Sequence, residues 1–122
     1  MKEERPVNIT LTSFGFKYSR PNANYYFDVG FIKNPARETT WDFFSRPTDE
    51  MKDYVLKQEA TQKFISYVVP LIIFLAEVDQ YQIFAFGCNS GRHRSFILVE
   101  EVQRKLEKQG IKCKTVHQNM ED

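Results

Sequence analysis

One stretch constrains the fold of this chain more than any other: an apolar run that ends in a tight polar turn and continues as a helix. From Phe84 to Val99 it reads FAFGCNSGRHRSFILV. A helix N-terminus carries converging amides and partial positive charge, so a turn of this kind favours an anion. Arg92 and Arg94 add planar, permanently charged groups that match phosphate oxygens. We interpret the turn as a phosphate-binding loop.

Periodicity in the rest of the chain predicts the elements around this loop. Strands are expected over Val7–Phe14, Tyr25–Ile32, Gln82–Gly87 and Ile111–Thr115, and helices over Thr48–Asp79, with a break and a bend at Pro70, and over Arg92–Gln109. Strand–helix–strand order predicts an α/β fold: one three-layer domain spanning residues 1–122, with a small, mostly parallel sheet of about four strands and helices on both faces. Ligands bind such sheets beyond the carboxyl ends of the strands, where this loop and the ends of the first two strands lie.

Composition excludes several classes of protein. The 17 basic and 16 acidic residues give a net charge of +1, so no chain-wide charge favours nucleic acid or an anionic membrane. Two cysteines are too few for a disulfide scaffold, and the apolar run Tyr67–Ala76 is short of the ~20 residues of a membrane span. We therefore expect a cytoplasmic protein with no membrane partner. No metal-ligand spacing and no Walker loop is present, so no metal and no cofactor are expected.

Cysteine chemistry is an alternative interpretation of the loop. Cys88, five intervening residues and then Arg94-Ser95 match the spacing of cysteine phosphatases. Cys88 would be the nucleophile, Arg94 would hold the phosphate, and Asp28, Asp42 or Asp49 would be the general acid. Gly87 stands where the tyrosine-phosphatase type has histidine. The opposing interpretation is that Cys88 is a small apolar filler at a strand end.

The other polar residues of the loop also have two interpretations each. Neighbouring helical residues diverge by about 100°, so one arginine is expected to face the ligand and the other to pair with a carboxylate, with Asp28 as the candidate. His93 either donates to the ligand or packs, and Ser95 offers its hydroxyl to the pocket or to the Cys88 sulfur. His117 is interpreted as a strand-end residue only, and Gln118–Asp122 as a frayed tail.

A further group of aromatic residues lies where periodicity is lost, between residues 36 and 47. Trp41, Phe43 and Phe44 are interpreted either as a flap packed on the core or as a wall over the ligand.

Three blocks of the sequence together resemble a known family. They are Ser13-Phe14-Gly15-Phe16-Lys17-Tyr18, then Phe27-Asp28-Val29 with Phe31 and Asn34-Pro35, and Gly87 through Ser95. Over Leu11–Val116 the chain resembles the RapZ C-terminal domain family, a part of the YvcJ-like nucleotide-binding proteins of bacteria. The resemblance implies an α/β domain that binds a phosphorylated amino sugar, glucosamine-6-phosphate, and takes part in small-RNA binding and oligomerisation.

The resemblance also implies roles for individual residues. Phosphate contact is carried over to Asn89, Ser90, His93 and Arg94, with Arg92 in the place of a family lysine and with Gly91 and Ser95 completing the loop. Asp28 would contact a sugar hydroxyl or amine, and Lys57 falls near a family arginine. The chain departs from the family pattern at Gly30 (arginine in the family), Ala36 (histidine) and Thr48-Asp49 (Thr-Gly). Gln118–Asp122 stands where the family has a basic C-terminal end, and the resemblance leads us to expect the C-terminal domain without the family's N-terminal P-loop ATPase domain.

These observations lead to one expected function and two alternatives. The expected function is a regulatory or sensor domain that binds a phosphosugar or nucleotide without catalysis. The alternatives are the Cys88-dependent phosphatase and an RNA-binding adapter. Expected partners are a phosphorylated small molecule and a kinase or P-loop ATPase domain, with RNA and a second copy of the chain as further candidates.

Overall fold

The computed structural model describes residues 8–34, 46–79 and 81–120. In chain order its elements are β1 (Asn8–Gly15), β2 (Tyr25–Asp28), α1 (Asp49–Leu56), α2 (Glu59–Val78), β3 (Tyr81–Cys88), α3 (Arg94–Lys108) and β4 (Cys113–His117). The expectations for Ala36, Asp42 and the aromatic residues Trp41, Phe43 and Phe44 lie outside the described residues.

The four strands form one sheet in the order β2-β3-β1-β4, and each neighbouring pair is parallel. The two central strands, β1 and β3, are almost continuously buried, as strands covered on both faces are. In this register Leu11 lies beside Phe84 on one side and Thr115 on the other, so the three side chains share a face. The α/β class and the four-stranded sheet are therefore confirmed.

The described helices all lie on one face of this sheet. The steps from β2 to β3 and from β3 to β4 run in the same direction across the sheet, and right-handed crossovers then place their helices on the same side. Side chains from all three helices join Leu11, Phe84 and Phe86 in a single core. On the opposite face the buried Phe14 ring meets Phe16 at 4.8 Å and Tyr26 at 6.3 Å, edge to face. The described residues thus form two layers, and the expected helices on the second face are not among them.

The predicted break in the long helix falls between α1 and α2. Thr48 caps α1 by accepting a hydrogen bond from Met51 N–H at 3.2 Å, and α2 begins after Gln58. The second helix continues through Pro70 to Val78. By length and mean hydropathy (20 residues, 1.4) α2 could cross a bilayer, a test that the core helix of a globular protein also passes.

The end of β2 and the C-terminal tail differ from the predictions. The second strand stops at Asp28, because the Asp28 carboxylate accepts the N–H of Gly30 at 2.8 Å and turns the chain. The tail is not frayed through Met120: Gln118 N–H donates to the Ser13 carbonyl at 2.9 Å, and Asn119 Oδ1 accepts the N–H of Gly15 at 2.7 Å. Both differences arise from hydrogen bonds that local propensity does not contain.

Candidate anion-binding site

The loop from Asn89 to His93 joins β3 to α3 and packs tightly against the end of β1. Gly91 has φ +76°, and a Cβ built there would lie 2.5 Å from the backbone N of Gly15. A Cβ on Gly15 would in turn lie 2.4 Å from the Ser90 carbonyl carbon. Gly91 and Gly15 therefore have to be small because the loop and β1 are in direct backbone contact, whether or not a ligand binds.

Cys88 lies beneath the loop and is 2% exposed. Its sulfur accepts the N–H of Gly91 at 3.3 Å and lies 3.3 Å from Ser95 Oγ, so of the two partners considered for the Ser95 hydroxyl the structure places it at the sulfur. Ser95 is fully buried, and the arrangement is internal to the protein. The other thiol, Cys113, lies at the amino end of β4, where burial and the nearby Glu107 charge raise its pKa to about 11.

The two arginines diverge to opposite sides of the loop, as their positions on either side of His93 predict. Arg94 Nη1 donates to the carbonyls of Gly30 at 3.0 Å and Ile32 at 3.1 Å, and so fixes the turn that follows β2. Arg92 Nη1 points towards Met120 Sδ, 4.0 Å away, on the β4 side. The predicted pairing of an arginine with Asp28 is wrong for Arg94, which has no carboxylate within 4 Å among the described residues.

The remaining loop residues are placed at different depths. His93 and Ser90 are buried, whereas Asn89 is exposed and its carbonyl accepts the N–H of Lys17 at 3.2 Å. His93 precedes α3 and makes no side-chain cap to it; its carbonyl accepts the first-turn N–H of Ile97 at 2.8 Å. Of the residues between the strand and the helix, Asn89 is thus the side chain most accessible to a ligand.

A cleft of about 590 Å³ opens beside the loop at the carboxyl edge of the sheet. Its lining residues are Gly30, Phe31, Ile32, Lys33, Asn34, Tyr54, Asn89 and Arg94. The structure therefore brings two residues of the predicted phosphate loop, Asn89 and Arg94, together with the segment after β2. Asp28 and Lys57 are exposed and do not line the cleft.

Lys33 and Tyr54 were not singled out by the sequence. Lys33 directly follows the second predicted strand, and this position at a carboxyl strand end is the sequence feature that could have indicated a place in the site. It is held by Gln58, whose side chain accepts the Lys33 N–H at 2.9 Å and donates to its carbonyl at 3.1 Å. Tyr54 lies on α1, and no local pattern indicates which loop an α1 side chain will face.

A second polar cluster joins the ends of β1, β4 and α3. Ser13 Oγ lies 2.6 Å from His117 Nδ1, and His117 Nε2 lies 3.2 Å from Glu100 Oε2. The imidazole stacks on Phe96 with 3.7 Å between ring centroids. His117 is therefore more than a strand-end residue, and the interpretation that gave it no further contact is wrong. Ser13 is fully buried, so this Ser-His-Glu arrangement is structural.

This geometry defines a class, the small parallel α/β domains with a strand-to-helix loop beside a cleft. The chain belongs to the RapZ C-terminal domain family, whose model matches residues 7–121. A protein named nucleotide-binding protein in Caldicellulosiruptor bescii is 39% identical over 98% of this chain and 43% of its own length. Proteins of the same name in Clostridium beijerinckii and Glaesserella parasuis are 37% and 34% identical over 96% and 97% of the chain. The chain spans less than half the length of these relatives.

Proposed function

We propose that this domain binds a phosphorylated small molecule, a sugar phosphate or a nucleotide, in the cleft beside the Asn89–Ser95 loop, and that it does so as a regulatory module without catalysis. The observation that carries the proposal is the cleft itself, where Asn89, Arg94 and Lys33 converge at the carboxyl edge of a parallel sheet. Such edges are the usual ligand positions of parallel α/β folds.

The charge at this edge supports an anionic ligand. Arg94 begins α3, a helix of 15 residues with no acidic residue in its first turn, so its cation and the positive end of the helix dipole add. The described bonds of Arg94 use Nη1 alone, which leaves its Nη2 and Nε donors for a ligand. Lys33 also lines the cleft and adds a second cation.

The rest of the lining supports a ligand with a ring attached to the phosphate. Phe31 and Tyr54 offer aromatic surface, and Asn34 and Asn89 offer amide donors and acceptors. The relatives' name, nucleotide-binding protein, is consistent with a phosphate-bearing ligand. A location in the cytoplasm, where phosphosugars and nucleotides are abundant, is part of this proposal.

Isothermal titration calorimetry with matched pairs of compounds tests the proposal. The chain is titrated with glucosamine-6-phosphate and AMP, and separately with glucosamine and adenosine. Binding is expected only for the phosphorylated member of a pair. Lys33→Ala should weaken that binding by about tenfold, the cost of one charge-assisted hydrogen bond.

Two lysines outside the cleft serve as controls. Lys57→Ala tests the position implied by the family resemblance, and Lys112→Ala tests a remote exposed lysine; each should change the affinity by less than about twofold because screened, distant charges contribute little. The proposal fails if no phosphorylated compound binds. The assignment of the ligand to this cleft is wrong if Lys57→Ala weakens binding and Lys33→Ala does not.

The phosphatase alternative has one observation in its favour: the Cys88 sulfur accepts the Gly91 N–H at 3.3 Å and lies 3.3 Å from the Ser95 hydroxyl, so polar groups surround it at the start of the loop. Burial of Cys88 and the engagement of Arg94 with two carbonyls both oppose attack on a phosphate ester. We expect no turnover of p-nitrophenyl phosphate. Turnover that Cys88→Ser abolishes would replace the binding module with an enzyme.

A further inference from the structure

The corner between α1 and α2 contains a glutamine whose side chain bonds a different part of the chain. Gln58 is half-buried, and both helices fix its backbone: its N–H donates to the Val55 carbonyl at 3.4 Å, and its carbonyl accepts the N–H of Gln62 at 3.1 Å. It stands at the N-cap position of α2 and makes no side-chain cap there. The helices therefore fix where this side chain starts, and its amide group reaches outside them.

The amide of Gln58 bonds both backbone groups of Lys33. Its Oε1 accepts the Lys33 N–H at 2.9 Å, and its Nε2 donates to the Lys33 carbonyl at 3.1 Å. Both distances are those of ordinary hydrogen bonds. The pair of bonds needs an acceptor and a donor side by side at this reach, which the glutamine amide supplies. Glutamate has no donor, and asparagine is one methylene shorter.

These bonds fall where the segment that lines the cleft leaves the core. Val29 and Ile32 are buried and anchor the turn after β2, and Arg94 bonds two carbonyls of the same turn. Lys33 comes next and is exposed. Gln58 bonds it from 25 positions further along the sequence. The place of the Lys33 cation at the cleft therefore depends on Gln58.

We propose that Gln58 is a positioning residue for the anion-binding cleft, and that it holds Lys33 where this cation meets a phosphate. The inference rests on the proposed function, because it concerns how the same cleft holds its ligand. Gln58 is not among the residues that line the cleft, so it acts through Lys33 and not by touching the ligand. A contact residue that is already held in place loses less freedom when the ligand binds, and the affinity is higher for it.

Gln58 also joins two elements that line the cleft. Lys33 belongs to the segment after β2 and Tyr54 belongs to α1. Besides bonding the Lys33 carbonyl, Gln58 Nε2 donates to the Tyr54 carbonyl at 3.4 Å. A ligand with a ring would be affected through both residues. Inorganic phosphate has no ring for Tyr54 to contact, so it isolates the contribution of Lys33.

Hydrogen exchange and the binding of inorganic phosphate, both followed by NMR on the full chain, test the proposal. Gln58→Met keeps the length of the side chain and removes its bonds, so the Lys33 amide should exchange at least about tenfold faster. The affinity for inorganic phosphate should fall about fivefold, the effect of one lost hydrogen bond. In a Lys33→Ala background the same substitution should change the affinity by less than about twofold, because Gln58 acts through the lysine.

Gln62→Met is the matched control. Gln62 lies at the same corner, and its Nε2 bonds the Leu56 carbonyl, within the two helices. This variant should leave both the exchange of the Lys33 amide and the affinity for phosphate within about twofold of the parent, as substitutions away from the site do.

The outcomes separate this inference from the proposed function. If Gln58→Met binds phosphate as tightly as the parent, or leaves the exchange of the Lys33 amide unchanged, the positioning role is wrong and the proposed function stands. If Gln58→Met weakens binding equally with and without Lys33→Ala, the glutamine does not act through the lysine, and the inference is again overturned. If inorganic phosphate, glucosamine-6-phosphate and AMP all fail to bind the parent, the proposed function is wrong and this inference is wrong with it.

Discussion

At the scale of single residues, Gly91 in the loop and Gly110 after α3 have similar backbone angles but different surroundings. Gly91 and Gly110 have φ of +76° and +82°, so both occupy the left-handed region that other residues adopt at a cost. A Cβ on Gly91 would meet the backbone of Phe14 and Gly15 at 2.5 Å, whereas one on Gly110 would meet nothing within 4 Å. The pair therefore separates backbone strain from steric contact.

We expect Gly110→Ala to cost about 1 kcal/mol in the free energy of unfolding, the strain of the left-handed conformation alone. Gly91→Ala should cost at least about 3 kcal/mol, because the loop must also move away from β1. Urea denaturation of both variants and the parent measures the difference. Equal costs would mean that the loop does not pack on β1 as described.

The directions of Arg92 and Arg94 could be predicted from the sequence, but their bonding partners could not. A separation of two positions in the sequence predicts that Arg92 and Arg94 point apart, and they do. The partners were not predictable, because Arg94 bonds carbonyls 62 and 64 residues earlier in the chain. Asp28, the expected partner, satisfies the turn of its own segment instead.

At the scale of elements, β1 and β4 are joined by a side-chain contact between Ser13 and His117 as well as by their backbone hydrogen bonds. Ser13 is fully buried on β1, and its hydroxyl meets His117 Nδ1 from β4 at 2.6 Å. Removing His117 would leave a buried hydroxyl without this bond, and such a loss costs about 1–3 kcal/mol.

A double-mutant cycle tests this connection. His117→Ala should destabilise the protein by about 2 kcal/mol, and the same substitution in a Ser13→Ala background should cost at least about 1 kcal/mol less, because no hydroxyl is then stranded. The free energies come from urea denaturation of the four proteins. Additive costs would show that the two side chains are not coupled and that the β1–β4 contact depends on backbone bonds.

Elements were predicted more completely than their ends and contacts. Alternation and helical spacing located all four strands and the helices, because burial of one face is a local property of the sequence. β2 is shorter than its apolar alternation because Asp28 and Gly30 turn the chain, and the tail is ordered because Asn119 reaches Gly15. In the candidate site, Asn89 and Arg94 were predicted from the loop, but Lys33 and Tyr54 come from elements whose approach depends on the whole fold.

At the scale of the whole molecule, a net charge of +1 conceals an uneven distribution. Lys17, Lys33, Arg92 and Arg94 follow the carboxyl ends of three parallel strands, so cationic groups collect at the edge that holds the cleft. The outer face of α2 presents apolar surface elsewhere, at Tyr67, Leu71, Phe74 and Val78. The cationic and the apolar parts of the surface thus lie on different elements of the domain.

One cooperative core connects these parts, and calorimetry can measure it. Buried side chains from α1, α2, α3, β1 and β3 form a single cluster, and the cleft is lined by residues that follow β2 and β3. The 122 residues should unfold in one transition with an enthalpy of about 85 kcal/mol near 60 °C. Calorimetric and van't Hoff enthalpies should agree, as they do for a two-state domain.

A phosphorylated ligand at 100 times its Kd should then add about 2.7 kcal/mol of stability and raise the midpoint by about 10 °C, with the transition still single. The unphosphorylated compound is the control and should leave the midpoint unchanged. Two resolved transitions, or a ligand that shifts only part of the heat absorption, would contradict the expectation of one domain over residues 1–122. In that outcome the cleft would belong to a unit that unfolds apart from the core, and binding there could not be transmitted to the rest of the chain.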